Sequence, residues 1–299
     1  MPKGSVGLVD KYLDRIIVPP GKKISLKKDF DPGFGKGRLK DEEALSLLAE
    51  STAALSKNQE KLYAQDRYAL LLIFQAMDAA GKDGTIKHVF SGVNPQGCGV
   101  ASFKAPSDEE LDHDYLWRCV RQLPERGKIG IFNRSYYEEV LVVRVHPEFL
   151  ERQKLPPKLK DKKIWSRRFD EINAFERYLD SNGTVILKFF LNVSKGEQKR
   201  RFLERIEDPK KNWKFSAADV AERSHWSEYM SAYEDMFNQT STKWAPWHII
   251  PADDKPFMRV LVAGIIARKL EELGLSFPEV EGAQKERLQH AGELLENEK

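Results

Sequence analysis

The sequence predicts an α/β protein built on a parallel sheet with helices on both faces. Three observations carry this reading. Five apolar runs of strand length lie at 68–74, 100–103, 129–132, 184–193 and 247–251. Each is separated from the next by enough chain for a crossover helix. A loop rich in glycine and lysine directly follows the first run. At 299 residues the chain allows one or two domains. With 41% hydrophobic and 32% charged residues it has a sizeable core and a heavily charged surface, which excludes wholesale disorder.

Taken in order, residues 1–40 (with VPPGKKISLKKDFDPGFGKGRLK at 18–40) show no sustained period and read as a basic N-terminal arm without a core role. From 41 to 65, Ala44, Leu45, Leu47, Leu48, Leu55, Leu62 and Tyr63 recur at roughly helical spacing among charges, predicting a long amphipathic helix. The continuous run YALLLIF at 68–74 is the pattern of a strand buried on both faces. Further helices are expected at 85–92, 107–126, 160–182, 194–207, 216–238 and 255–274. Residues 276–299 form a polar C-terminal tail with helical character, leaving 41–275 as the main domain.

The longest apolar runs, seven residues at 68–74 and eight at 260–267, fall short of the roughly 18 to 20 that span a bilayer. The start MPKGSVGLVDKYLDR has no apolar signal region, and Cys98 and Cys119 are too few for a disulfide framework, so a cytoplasmic protein without a membrane partner is expected. The 49 Lys and Arg against 46 Asp and Glu leave +3, too little to imply a general nucleic-acid surface. Placement matters more. Residues 188–214 hold nine Lys or Arg against four acids, enough local charge to hold a polyanion.

The most informative stretch is the loop from Gln75 to Thr85. Strand, glycine loop, Lys82, then helix is the context of a phosphate-binding loop. Backbone N–H groups from Ala79 through Ala80, Gly81, Lys82, Asp83 and Gly84 to Thr85 would face an anion, the helix terminus adds positive potential, and Lys82 reaches an outer phosphate. The pattern GxxxxGK(S/T) is missed twice, by Ala76 at its first glycine and by Asp83 at its hydroxyl. A carboxylate at Asp78 would be repelled by phosphate unless a cation bridges them. Asp78 is therefore expected to ligate magnesium, with manganese as an alternative, or to hold a metal-bound water; the competing role is a turn cap. Asp83 has the same options, and Thr85 could recover the missing hydroxyl.

A second constellation, FNRSYYE at 132–138, ends the third run. Ligands lie beyond the carboxyl ends of parallel strands, so Asn133 and Arg134 should face the same crevice. Arg134 can stabilise charge on a phosphoryl group in transfer, and Asn133 can orient a metal-bound water or a phosphate. Lys87 joins Lys82 and Arg134 as the inner part of a basic track. His88 reads as a packing or capping residue. The segment 251–255 follows the last strand and so also points at the crevice. The base and ribose of a nucleotide are expected beside it and the lid, with Asp254 serving mainly as a helix cap.

The loop QAMDAAGKDGTIKHV, the following SGVNPQG, the block FNRSYYEEVLVVRVH and the WKFS segment occur together in an order and spacing that closely resembles the polyphosphate kinase 2 family, over roughly residues 30–275. Asn133, with KDGTIKHV and VNPQG, resembles the class III subgroup. The resemblance implies a three-layer α/β/α sandwich of the P-loop kinase kind with a helical lid at about 194–238. It also implies reversible transfer of phosphoryl groups from inorganic polyphosphate to AMP and ADP, giving ADP and ATP. Catalytic roles fall on Asp78, Lys82, Asn133 and Arg134, with lid arginines closing over the phosphates. In this chain those are Arg201 and Arg205, four apart on one helical face. Lys210 and Lys214 are further candidates for phosphate binding. A homodimer or homotetramer is implied as well. Two other readings remain at this level: an ATP-dependent nucleoside monophosphate kinase, and a non-catalytic polyanion-binding protein.

Overall fold

The computed structural model describes residues 4–298, apart from the side chain of Lys214. Its centre is a five-stranded sheet, β1 (Ala69–Gln75), β2 (Cys98–Ser102), β3 (Ile129–Asn133), β4 (Thr184–Asn192) and β5 (Trp247–Pro251), in the order β2-β3-β1-β4-β5. All four pairings are parallel, as the alternation of strands and helices predicts. β1 is central and all seven of its residues are buried, which is why it reads as an uninterrupted apolar run. The chain leaves β1 for β2, returns to β3 beside it, then crosses to β4 on its other side. The carboxyl ends of β1 and β3 therefore lie at a topological switch point.

One face of the sheet is covered by helices α1 (Gly4–Tyr12), α2 (Asp41–Gln65), α3 (Lys82–Val89) and, from the far end of the chain, Lys255–Glu272. Asp41, Glu42 and Glu43 in the first turn of α2 suit the positive end of its dipole. The other face is covered by α4 (Ile164–Ser181) and, beyond helix α5 (Lys195–Glu207), by α6 (Trp226–Thr240). Lys255–Glu272 is α7, buried almost all round; α8 (Ala283–Glu296) buries none of its residues.

The first forty residues depart from expectation. Val9, Tyr12, Ile16, Val18, Ile24, Leu26 and Phe30 all belong to the core. Helix α1 lies so close on α7 that a Cβ at Gly264 would stand 2.7 Å from Val9 Cγ2. Residues 16–18 then pair antiparallel with the edge of β5, Ile249 N donating to Ile16 O at 2.6 Å and Val18 N to Trp247 O at 2.9 Å, and so close an open sheet edge. The segment changes element every few residues, so its apolar residues never build a readable period.

The expected helix over 107–126 survives as two short pieces, Asp108–Leu111 behind a Ser107 capping box and Trp117–Val120. Between them Asp114 accepts from Leu116 N at 2.9 Å, a local bond that competes with helix continuation. The expected helix at 216–238 is likewise interrupted, by a 3-10 turn at Arg223–His225. Ile16→Ala should lower unfolding free energy by about 2–5 kcal/mol in urea titration. A change near zero would show that the N-terminal segment does not pack.

Candidate active site

The loop after β1 holds two unusual backbone positions. Gly81, before Lys82 opens α3, has φ 110°, which favours glycine; Ala79 has φ 60°, a left-handed conformation costing a non-glycine residue about 1 kcal/mol. Lys82 is buried, and its Nζ donates to Ala76 O at 2.8 Å, folding the lysine back over the loop. Burial, and then the Arg134 guanidinium, lower its pKa to about 8 against the opposite pull of Asp78, Glu138 and Asp83. The ammonium is thus held in a cluster of two cations and three carboxylates.

The end of β3 closes on this loop. Asn133 Nδ2 donates to Asp83 Oδ1 at 2.7 Å, and Arg134 Nη2 to Asp78 Oδ1 at 2.8 Å. Arg134 also stands in the left-handed region, φ 65°, its amide donating to Phe74 O at 3.0 Å. Both strand ends are therefore stitched together through the residues that the sequence singles out. Glu138, which sequence reasoning leaves without a role, lies 3.9 Å from Arg134 Nη1; burial raises its pKa while Arg134 and Lys82 pull it down. Its only sequence signal was its place four residues after Arg134.

Behind the site, Lys188 and Glu176 form an ion pair of 2.7 Å with neither side chain exposed. Tyr136 and Tyr137 hydroxyls donate to Glu176 Oε1 at 2.9 and 2.7 Å, and Lys188 Nζ donates to Thr240 O at 2.7 Å. This network anchors the turn that carries Arg134. Neither member was legible, because Lys188 lies inside an apolar strand run and Glu176 on a helix among other charges.

Arg201 corrects an expectation. It does not reach out as a lid arginine: it is 4% exposed and all its donors are engaged within the protein. Nε bonds Glu197 at 2.7 Å, Nη1 bonds the carbonyls of Ala79 and Ala80 at 3.1 and 2.7 Å, and Nη2 bonds those of Ala252 and Asp253 at 2.6 and 3.4 Å. A buried guanidinium that cannot deprotonate must fill its donors, and here the loop carbonyls do so. Burial would raise the Glu197 carboxyl, yet hydrogen bonds from Arg200 and Arg201 hold it at about 2. Arg201 is a positioning residue. Arg205 remains partly exposed, 3.9 Å from Asp219, so the two arginines face different surroundings.

Thr85 is a second correction. Its hydroxyl is buried and donates to Gly81 O at 3.0 Å, so it does not replace the hydroxyl missing at Asp83. Lys87 and Lys210 are exposed, and the Lys214 side chain lies outside the described residues. His88 is exposed, and its Nδ1 bonds Gly84 O, one turn back on the same helix, at 2.6 Å.

In the segment 251–255, Asp254 is the helix cap that the sequence predicts, accepting from Phe257 N at 2.9 Å. Ala252 is fully buried, and Asp253 accepts from Ser194 N and Oγ at 2.7 and 2.9 Å, so both carboxylates are engaged within the protein. A cavity of about 460 Å³ opens instead across β1, beyond β2 and β3, a volume suited to a small molecule. Arg134 and Glu138 belong to its lining, with Lys104, Arg118, Tyr115 and Phe149, and so do the acids Glu110, Asp112, Asp114 and Glu139. It holds cations, carboxylates and rings together.

The family model described as polyphosphate kinase 2 matches residues 38–276. An ADP-polyphosphate phosphotransferase of Rhodopseudomonas palustris is 52% identical over 283 residues, covering 93% of this chain and 96% of the relative. An AMP/ADP-polyphosphate phosphotransferase of Meiothermus ruber is 45% identical over 270 residues, covering 89% and 96%. The crystal structure of polyphosphate kinase 2 from Arthrobacter aurescens TC1 superposes with TM-score 0.84 at 38% identity, covering 97% of each chain.

Two outcomes are expected from the site's geometry. Arg201→Ala leaves Glu197 and the loop carbonyls without their donors and should cost about 3–5 kcal/mol in urea unfolding. Lys82 loses its charge as pH rises through about 8 in the free protein. A bound phosphate favours the charged form, so binding takes up a proton above that pH. Tripolyphosphate affinity in metal-free buffer should therefore fall by up to about tenfold per pH unit above 8. Calorimetry on Lys82→Arg beside the unsubstituted protein isolates the lysine's share, which should disappear.

Proposed function

The chain belongs to the polyphosphate kinase 2 family and is a phosphotransferase; we propose that it moves phosphoryl groups reversibly from inorganic polyphosphate to AMP and ADP, giving ADP and ATP. One observation carries the mechanism: Asp78 and Arg134 meet at 2.8 Å across two strand ends, between the phosphate loop and the cavity. A nucleotide in that cavity would direct its terminal phosphate at Arg134 and its base toward Tyr115 and Phe149. The donor's terminal unit would then lie over the loop amides and Lys82. An acceptor phosphate is already anionic at neutral pH, so no strong general base is required, and the difficulty is bringing two anions together. Lys82 and Arg134 would offset that charge from fixed positions, Asn133 holds Asp83 in place, and Arg205, partly exposed and 3.9 Å from Asp219, is the lid cation that would join them.

The acidic loop suits magnesium. Among the described residues no group of three or more His, Cys, Asp or Glu side chains could hold a metal alone. Magnesium keeps several waters and takes substrate phosphates with one or two carboxylates. Asp78 would hold it, directly or through water, with Asp83 beside it; manganese accepts the same oxygen donors. When bound, the ion neutralises phosphate charge between donor and acceptor. Asp78 and Arg134 neutralise each other in the free protein, and this keeps either charge from standing unpaired before substrate arrives.

Purified protein incubated with magnesium, long-chain polyphosphate and AMP should produce ADP and then ATP, resolved by anion-exchange chromatography. Product formation that requires ATP in place of polyphosphate would instead mark a nucleoside monophosphate kinase. Asp78→Asn and Lys82→Ala should each lower kcat by about 100-fold or more while circular dichroism stays unchanged. Near-normal turnover in either variant would remove that residue from the reaction.

A further inference from the structure

Arg259 lies on the second turn of α7, beside the phosphate loop's own helix. A Cβ on Gly84 would stand 3.8 Å from its Nη2. The side chain is half-buried, its Nε is buried without a hydrogen-bond partner, and among the described residues it makes no ion pair. Arg201, the charged neighbour that acts on it, is another cation, and both burial and that neighbour lower its pKa. Four residues earlier on the same helix, Lys255 is half-buried and likewise makes no ion pair. Burial, then Arg201, lower its pKa, with Arg200 acting in the same sense and Glu204 and Glu197 opposing. Arg201 cannot relieve either residue, since its donors are already filled by Glu197 and four carbonyls.

Two cations held partly out of water without a carboxylate of their own are costly to the free protein, and they become favourable once an anion sits between them. Residues i and i+4 share a helical face, so Lys255 and Arg259 present one surface. That surface lies on the β5 side of β1, whereas the cavity with rings lies on the β2 and β3 side. Phe257, the one aromatic residue between the two cations, is fully buried and offers no face to a base. A ligand held by this surface is therefore anionic.

We propose that Lys255 and Arg259 form the subsite for the donor chain, binding the phosphates that follow the one being transferred. The proposal rests on the polyphosphate-donor reading above and adds where the rest of the chain lies. It assigns the acceptor and the donor to opposite sides of the phosphate loop.

The test compares the unsubstituted enzyme with Arg259→Gln, Arg259→Lys and Lys255→Gln. With saturating ADP and magnesium, Arg259→Gln should raise KM for long-chain polyphosphate by about tenfold or more. KM for ADP should stay within about twofold, and Arg259→Lys should recover part of the loss. Calorimetry of tripolyphosphate binding in EDTA without nucleotide should show the same weakening for Arg259→Gln and a smaller one for Lys255→Gln. Thermal unfolding should show an equal or higher Tm for Arg259→Gln, since an unpaired buried cation has been removed. An unchanged polyphosphate KM, a matching rise in the KM for ADP, or a lowered Tm with weakened use of both substrates would overturn the subsite. If the unsubstituted enzyme makes no ATP from ADP and polyphosphate, the functional reading fails. Tripolyphosphate calorimetry then still decides the subsite on its own.

Discussion

A guanidinium stays charged at any pH a protein meets, so burying one obliges the surroundings to fill its donors. Arg201 imposes that obligation on the phosphate loop. Its contacts with the carbonyls of Ala79 and Ala80 tie the loop to lid helix α5, and those with Ala252 and Asp253 tie both to the end of β5. Gln198, from the same helix, adds a bond to Asp78 O at 2.8 Å. The left-handed turn at Ala79 persists because the carbonyls around it are already held. The loop's amides can then face a phosphate without further rearrangement.

Charge balance decides the rest. In the free protein Lys82 and Arg134 are opposed by Asp78, Asp83 and Glu138, so the cluster does not carry a large uncompensated charge. A phosphate chain would bring negative charge into that cluster, and an additional cation would then suit the acidic loop. In the proposed arrangement, specificity would follow from what lies on each side: the nucleotide would take the cavity on the β2 and β3 side, and the chain of phosphates the Lys255 and Arg259 surface on the β5 side.

Rigidity comes from pieces distant in sequence. The buried Lys188–Glu176 pair costs desolvation, and its hydrogen bonds to Tyr137 and Thr240 offset that cost while locking the turn after β3. On the far side, residues 16–18 pair with β5, and Ser241 Oγ donates to Val18 O at 2.6 Å. The N-terminal segment thereby braces the strand whose end helps to hold Arg201.

Much of this was legible in residue order. Continuous apolar runs revealed parallel strands because both faces of such strands are buried, and the long helix at Asp41–Gln65 followed from its spacing. Gly81, Lys82, Asp78, Asn133 and Arg134 stood out because phosphate chemistry needs those groups next to strand ends. Local pattern also identified Asp254 as a cap. The surroundings of Arg201, Thr85, Glu138, Glu176 and Arg259 were decided only by folding. Burial and pairing belong to the neighbours a side chain acquires, and those neighbours come from distant parts of the chain. Helical spacing puts Arg201 and Arg205 in one row, but only the approach of the phosphate loop and β5 shows that one is a buried brace and the other a partly exposed cation.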